Sequence, residues 1–144
     1  MSQEIRNLEP KPLWNKFADL NAVPRPSKKE ERVIAFMMEF GQKLGLLTVK
    51  DHVGNVIIKK PATPGMENRK TIVMQSHLDM VHQKNNDTNF DFDTQGIDMY
   101  VDGDWVRAKG TTLGADNGLG VAMIMAILES TDIKHPAIEA LFTI

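Results

Sequence analysis

Two short polar islands interrupt the apolar patterning of this chain, and their positions constrain both fold and chemistry. The run Thr71-Ile72-Val73-Met74-Gln75 is apolar and β-branched enough to read as a buried strand, and it gives way to His77-Leu78-Asp79-Met80. The second island, Gly114-Ala115-Asp116-Asn117-Gly118, opens a strongly apolar helix over 121–128. Strands alternating with long helices argue for an α/β sheet with some antiparallel members. In open α/β sheets, ligands bind at the carboxyl ends of the strands. One His and two Asp placed there look like half of a metal site.

The remaining pattern fills in around those islands. Leu13, Trp14, Phe17 and Leu20 predict a helix over 10–20. Pro24 and Pro26 make 21–26 a stiff linker. Ser27-Lys28-Lys29-Glu30 has the form of a capping box. The helix it would start carries Val33, Ile34, Met37, Met38 and Phe40 and ends near Gly45. A strand over 46–50, a turn at Asp51-His52-Val53-Gly54-Asn55 and a partner strand over 56–60 precede a polar loop and the 71–76 strand. Met99-Tyr100-Val101 and Trp105-Val106-Arg107 read as a hairpin around Asp102-Gly103-Asp104. Asp116 or Asn117 is expected to cap the next helix, which runs to about Glu129 with Met123 and Met125 as core packing. A last strand begins over 138–144, and the chain stops inside it. Residues 141–144 are therefore expected to leave an open edge, and the face of Val121, Ile124 and Leu128 to need neighbours, within the chain or beyond Ile144. The fold class expected is α/β, a mixed sheet flanked by helices.

Size and composition bound the function. A chain of 144 residues has room for one domain that buries about 68–70% of its unfolded surface. A net charge of -2 gives no bulk attraction to nucleic acid or acidic membranes. No apolar run spans a bilayer, and the first residues lack the apolar core of a signal peptide. With no cysteine, disulfides and thiolate ligands are excluded, so any metal must be held by His and carboxylates. A cytoplasmic location fits.

Residues two apart on a strand share a face, so His77 and Asp79 can both face the site while Leu78 points into the fold. A carboxylate beside an imidazole takes its second N–H, fixes the tautomer and raises its basicity as a ligand. His77 is accordingly read as a ligand and Asp79 as its orienter. Taken alone, His77 is more simply a hydrogen-bonded surface histidine. Asp116 is flanked by Gly114, Gly118 and Gly120, a density that lets backbone crowd a ligand and that a plain helix cap would not explain. Its two oxygens could bridge a pair of metals.

Competing motifs fail on inspection. The 110–120 stretch lacks the Lys-Ser/Thr ending of a phosphate loop, and Met123 stands where a dinucleotide fingerprint needs Gly or Ala. Ser76 and His77 point to opposite strand faces, and no Gly-x-Ser-x-Gly elbow exists. Asp91-Phe92-Asp93-Thr94-Gln95-Gly96 departs from a calcium loop at its fifth and twelfth positions. His52 and His135 read as structural or exposed, and His82 as a loop residue.

His77-Leu78-Asp79-Met80-Val81 with Gln83-Lys84-Asn85, and then Gly110-Thr111-Thr112-Leu113-Gly114-Ala115-Asp116-Asn117-Gly118, resembles the cytosolic aminoacyl-histidine (Xaa-His) dipeptidases, bacterial members of the dizinc peptidase family that includes aminoacylases and glutamate-type carboxypeptidases. Pro24-Arg25-Pro26-Ser27, the Asp51-to-Asn55 turn and the 61–70 loop also fit. The His-x-Asp element marks the wider family; the Gly-Thr-Thr-Leu-Gly-Ala-Asp-Asn-Gly run is more specific to the dipeptidase branch.

The resemblance implies that His77 binds one zinc, Asp79 orients it, and Asp116 bridges two zincs, with a cis peptide at Asp116–Asn117 in the complete, metal-loaded protein. It implies the N-terminal part of a zinc-dependent exopeptidase catalytic domain over 1–144, acting on short peptides by attack of zinc-activated water. A Glu-Glu pair supplying the general base and a ligand, another carboxylate, a distal His and the lid or dimerisation domain are all missing from the sequence. The chain alone is then expected to be inactive, and the complete enzyme could form a homodimer. Two alternatives stand beside this: a non-catalytic truncated product that binds a partner or complementing chain, and an acyl-amino-acid hydrolase or carboxypeptidase of the same family.

Overall fold

The computed structural model describes residues 3–144. Three α-helices, α1 (Lys11–Asn21), α2 (Glu31–Lys43) and α3 (Ala115–Glu129), accompany six strands: β1 (Leu47–Lys50), β2 (Val56–Lys60), β3 (Ile72–His77), β4 (Met99–Asp102), β5 (Trp105–Ala108) and β6 (Ile138–Thr143). A four-stranded mixed sheet has the order β1-β2-β6-β3, and β4-β5 forms a separate antiparallel hairpin.

Strand β6 lies between β2, which it meets antiparallel, and β3, which it meets parallel. Its residues alternate in burial, with Ile138, Ala140 and Phe142 inside. The expected open edge at 141–144 is thus corrected: Leu141 and Phe142 pair on both sides, Thr143 pairs with His77 of β3, and the sheet's edges are β1 and β3. The parallel β3–β6 pair needs a long crossover, and α3 lies within it.

The helices gather on one face of the sheet. Val33 and Met37 of α2, and Val121, Ile124, Met125 and Leu128 of α3, form one core with Val56, Ile58, Ile138, Ala140 and Phe142. Val121, Ile124 and Leu128 therefore find their neighbours within the chain. Truncating a fully buried Phe such as Phe142 typically costs about 3–5 kcal/mol. By register, the row Gln75–Leu141–Ile57–Val49 lies on the opposite face, which no helix of the described residues covers.

α3 is apolar nearly all round because it is covered on two sides, by α1 and by β3. Met125 is buried as expected, whereas Met123 is 52% exposed and is not core. A second cluster joins Ile5, Phe17, Ala18, Met80, Ile97, Met99 and Ala122, and seats the β4-β5 hairpin against α1 and α3.

Candidate metal centre

His77 is the last residue of β3, at the carboxyl end of a strand that runs parallel to its neighbour β6. Leu78 is fully buried and anchors the chain as it leaves the sheet. His77 and Asp79 are thereby left on the same side, as the strand period requires. Nδ1 of His77 lies 3.0 Å from the Asp79 carbonyl oxygen and 3.1 Å from Asp79 Oδ1. Its other ring nitrogen, Nε2, lies 3.0 Å from Asp116 Oδ1. The fold thus brings together the three residues singled out from the sequence, 39 positions apart along the chain in the case of His77 and Asp116.

Asp116 reaches that position by an unusual helix entry. Gly114 has φ 78°, a left-handed conformation that glycine adopts without penalty. Asp116 and Asn117 have non-helical torsions, and the peptide between them is cis. Neither residue caps α3, which corrects the expected capping role; the flanking N-cap residue is Gly114, without a side-chain hydrogen bond. The Asp116 carboxylate is 97% exposed and aimed past the helix start toward His77.

The glycines around Asp116 serve a neighbour different from the one expected. A Cβ at Gly114 or Gly118 would lie 2.7 or 2.6 Å from Nη2 of Arg25, and one at Gly120 would meet Asn117 Oδ1 and Ser76 Oγ. The close approach is to side chains of the protein itself. Ser76, on the inner strand face, donates to the Asn117 carbonyl at 3.1 Å and ties β3 to the start of α3.

Arg25 is only 1% exposed. Its guanidinium donates to the Leu78 carbonyl at 3.0 Å, to Asn21 Oδ1 at 2.8 Å and to the Gly114 carbonyl at 2.9 Å. Burial pushes it down to about 10, an effect the nearby Asp79 charge opposes, so it stays cationic at neutral pH. One buried cation thus ties α1 to the two segments that carry His77, Asp79 and Asp116.

Ser27 does not act as a capping-box residue either. α2 starts at Glu31, its N-cap Glu30 makes no side-chain cap bond, and the Ser27 hydroxyl donates to Asp79 Oδ2. Arg25 and Ser27 are the site residues that sequence reasoning passed over. Their signal was a charged residue locked between two prolines, where no helix could claim it, inside a segment that fitted the resemblance.

Other candidates stay out of the site. His82 is exposed and packs edge-on against Phe92, with ring centroids 5.4 Å apart. His135 is buried with Nδ1 2.7 Å from the Pro136 carbonyl, and His52 is exposed. Asp91 closes its own turn, accepting from the Asp93 N–H and the Thr94 hydroxyl, which holds its carboxyl below the usual range.

The donor set fits a divalent cation in part. An imidazole with Nδ1 beside one carboxylate and Nε2 facing a second, exposed one has the donor chemistry of a His–Asp pair in a zinc site. Among the described residues, no cluster of three or more His, Cys, Asp or Glu side chains is placed to hold a metal.

No family model matches the chain. It is 49% identical over 140 residues to the cytosol non-specific dipeptidase of Escherichia coli, covering 97% of this chain and 29% of that protein. Its fold superposes on the crystal structure of aminoacylhistidine dipeptidase from Vibrio alginolyticus with a TM-score of 0.96 at 51% identity, covering 100% of this chain and 30% of that one. A tripeptidase from Staphylococcus aureus shares the fold alone, with a TM-score of 0.73 at 21% identity over 93% of this chain and 36% of its own. The chain therefore spans less than a third of the length of the two dipeptidases, and it is similar to them along nearly all of its own length. The resemblance read from the His77 and Asp116 islands, and the α/β fold class, both agree with these relatives.

Proposed function

We propose that this chain supplies one half of the metal centre of a dipeptide hydrolase, as the N-terminal part of its catalytic domain. The observation that carries the reading is the convergence of His77 Nε2 and Asp116 Oδ1 at 3.0 Å, at the carboxyl end of β3, in a chain about half identical to two dipeptidases. When bound, zinc supplies an activated water and stabilises charge on the scissile carbonyl oxygen.

The chain's own residues prepare that chemistry. His77 presents Nε2 as a ligand, and Asp79 accepts from Nδ1, which selects the tautomer that leaves Nε2 free. The two oxygens of Asp116 make it the candidate to bridge a pair of ions. No group of three or more His, Cys, Asp or Glu side chains among the described residues is placed to hold a metal, so the chain alone is proposed to be inactive and to need further ligands. The substrate class is short peptides, of which Xaa-His dipeptides are the preferred reading. A cytoplasmic setting is proposed from the lack of cysteine and from the relative's description as a cytosol enzyme.

The test uses the protein purified from its natural source. We expect hydrolysis of an Xaa-His dipeptide that a chelator abolishes and zinc restores, and that H77A or D116A lowers by more than about 100-fold. Full activity in either variant would overturn the assignment.

A further inference from the structure

Residues 24–27 carry information beyond that site. Sequence patterning gives them two local jobs, a stiff linker and a helix cap, and the structure uses them for a third. The segment runs alongside residues 78–80: the Met80 N–H donates to the Arg25 carbonyl at 3.0 Å, the Ser27 N–H donates to the Met80 carbonyl at 3.1 Å, and Pro26 and Met80 form a parallel bridge. This pins the backbone at Met80, directly after Asp79, while the Arg25 guanidinium holds the Leu78 carbonyl directly before it. The Ser27 hydroxyl then reaches Asp79 Oδ2, while Asp79 Oδ1 faces His77 Nδ1 at 3.1 Å. Helix α2 does not begin until Glu31, so it makes no demand on that hydroxyl. Lys28 follows with φ 73°, a left-handed conformation uncommon outside glycine, which turns the chain away from the site directly after Ser27.

Resting on the metal-centre reading above, we propose that Ser27 is a positioning residue: its hydroxyl fixes the carboxylate of Asp79, and through it the imidazole of His77, so that Nε2 is held toward the metal. A carboxylate has two oxygens and can rotate about its terminal torsion. One oxygen held by Ser27 sets the plane in which the other meets the imidazole. The chain thus reads from Ser27, hydrogen-bonded to Asp79 Oδ2, to Asp79 Oδ1, which lies 3.1 Å from His77 Nδ1, the same nitrogen that meets the Asp79 carbonyl at 3.0 Å. Partners of this kind commonly matter to metal affinity almost as much as the ligands themselves.

The experiment is zinc binding by the full chain, measured by calorimetric titration with zinc chloride, for wild type, S27A, S27T, D79N and the S27A/D79N double variant. D79N is expected to weaken zinc by about 10–100-fold, the usual loss for an orienting carboxylate. S27A, one link further out, is expected to weaken it about 3–10-fold, and S27T to restore it to within about 2-fold. In the D79N background the S27A change should have no further effect, because coupled residues fail to add. Should S27A not fold, S27T against S27V asks the same question, since the two differ by a hydroxyl for a methyl. Wild-type affinity in S27A or S27V, or a loss that adds fully to that of D79N, overturns the positioning role while leaving the metal reading intact. Wild-type affinity in both H77A and D79N overturns the metal reading itself, and this inference with it.

Discussion

The two arms of the candidate site are held in different ways. On the β3 arm, His77 follows a buried strand, Leu78 is fully buried, and Asp79 sits over a buried arginine and under a serine hydroxyl. On the α3 arm, the Asp116 side chain is 97% exposed and meets the imidazole of His77. Its position comes from the backbone: a left-handed glycine, two non-helical residues and the Ser76 bond to the Asn117 carbonyl. One arm is fixed by side-chain packing, the other by the course of the main chain. The difference teaches where ordering is spent. The His77–Asp79 pair is held in place by packing and hydrogen bonds, while the Asp116 carboxylate stands open to solvent.

Substitutions can break that contrast, beginning with the element that serves both arms. Replacing Arg25 with Met leaves the Leu78 and Gly114 carbonyls and the Asn21 side chain without their donor. Orphaned buried acceptors cost about 1–3 kcal/mol each, so R25M should lose about 3–5 kcal/mol in urea unfolding; a loss below about 1 kcal/mol would show the clamp to be incidental. Gly114→Ala strikes the α3 arm alone. It combines a left-handed backbone with a contact 2.7 Å from Arg25, and should cost about 2–3 kcal/mol by the same measurement.

A finer contrast comes from the two carboxylates. D79N disturbs the bonds to Ser27 and His77 and should lower stability by about 1–2 kcal/mol. D116N changes an exposed group and should leave the thermal midpoint near that of wild type. Both should weaken zinc binding. Equal stability losses would erase the distinction between the arms.

The smallest effect belongs to a loop outside both arms. The Asn55 amide, with the backbone N–H groups of Gly54, Asn55 and Val53, holds the Asp51 carboxyl down to about 2. Its unfolded value is about 3.9, so the unfolded chain binds the proton first as pH falls. Its contribution is present above about pH 4 and lost as pH drops toward 2. The stability gap between wild type and D51N should therefore close over that window in acid titrations of unfolding.

Local signals were legible in the sequence. The 51–55 turn, the β4-β5 hairpin and the three helices follow from turn residues and apolar spacing that act within a few positions. Long-range placement was not. Residues 141–144 look like an exposed edge in the sequence, because nothing local says that β2 and β3 close on β6 from both sides. Ser27 and Glu30 match a capping box, yet the hydroxyl serves Asp79, 52 positions away. The glycines near Asp116 signalled crowding correctly, but their crowding partner, Arg25, lies 89 residues before Gly114. Where one side chain has both a local and a distant option, pattern alone favours the local one.

The central claim is that His77 and Asp116 converge on one divalent ion. The most direct measurement is anomalous scattering at the zinc edge from crystals of the chain grown with zinc. The account predicts a peak about 2.0–2.2 Å from both His77 Nε2 and an Asp116 carboxylate oxygen, with Asp79 on Nδ1 of the same ring. A peak at His52 or His135 with none at His77, or a zinc on His77 that Asp116 does not touch, would contradict it.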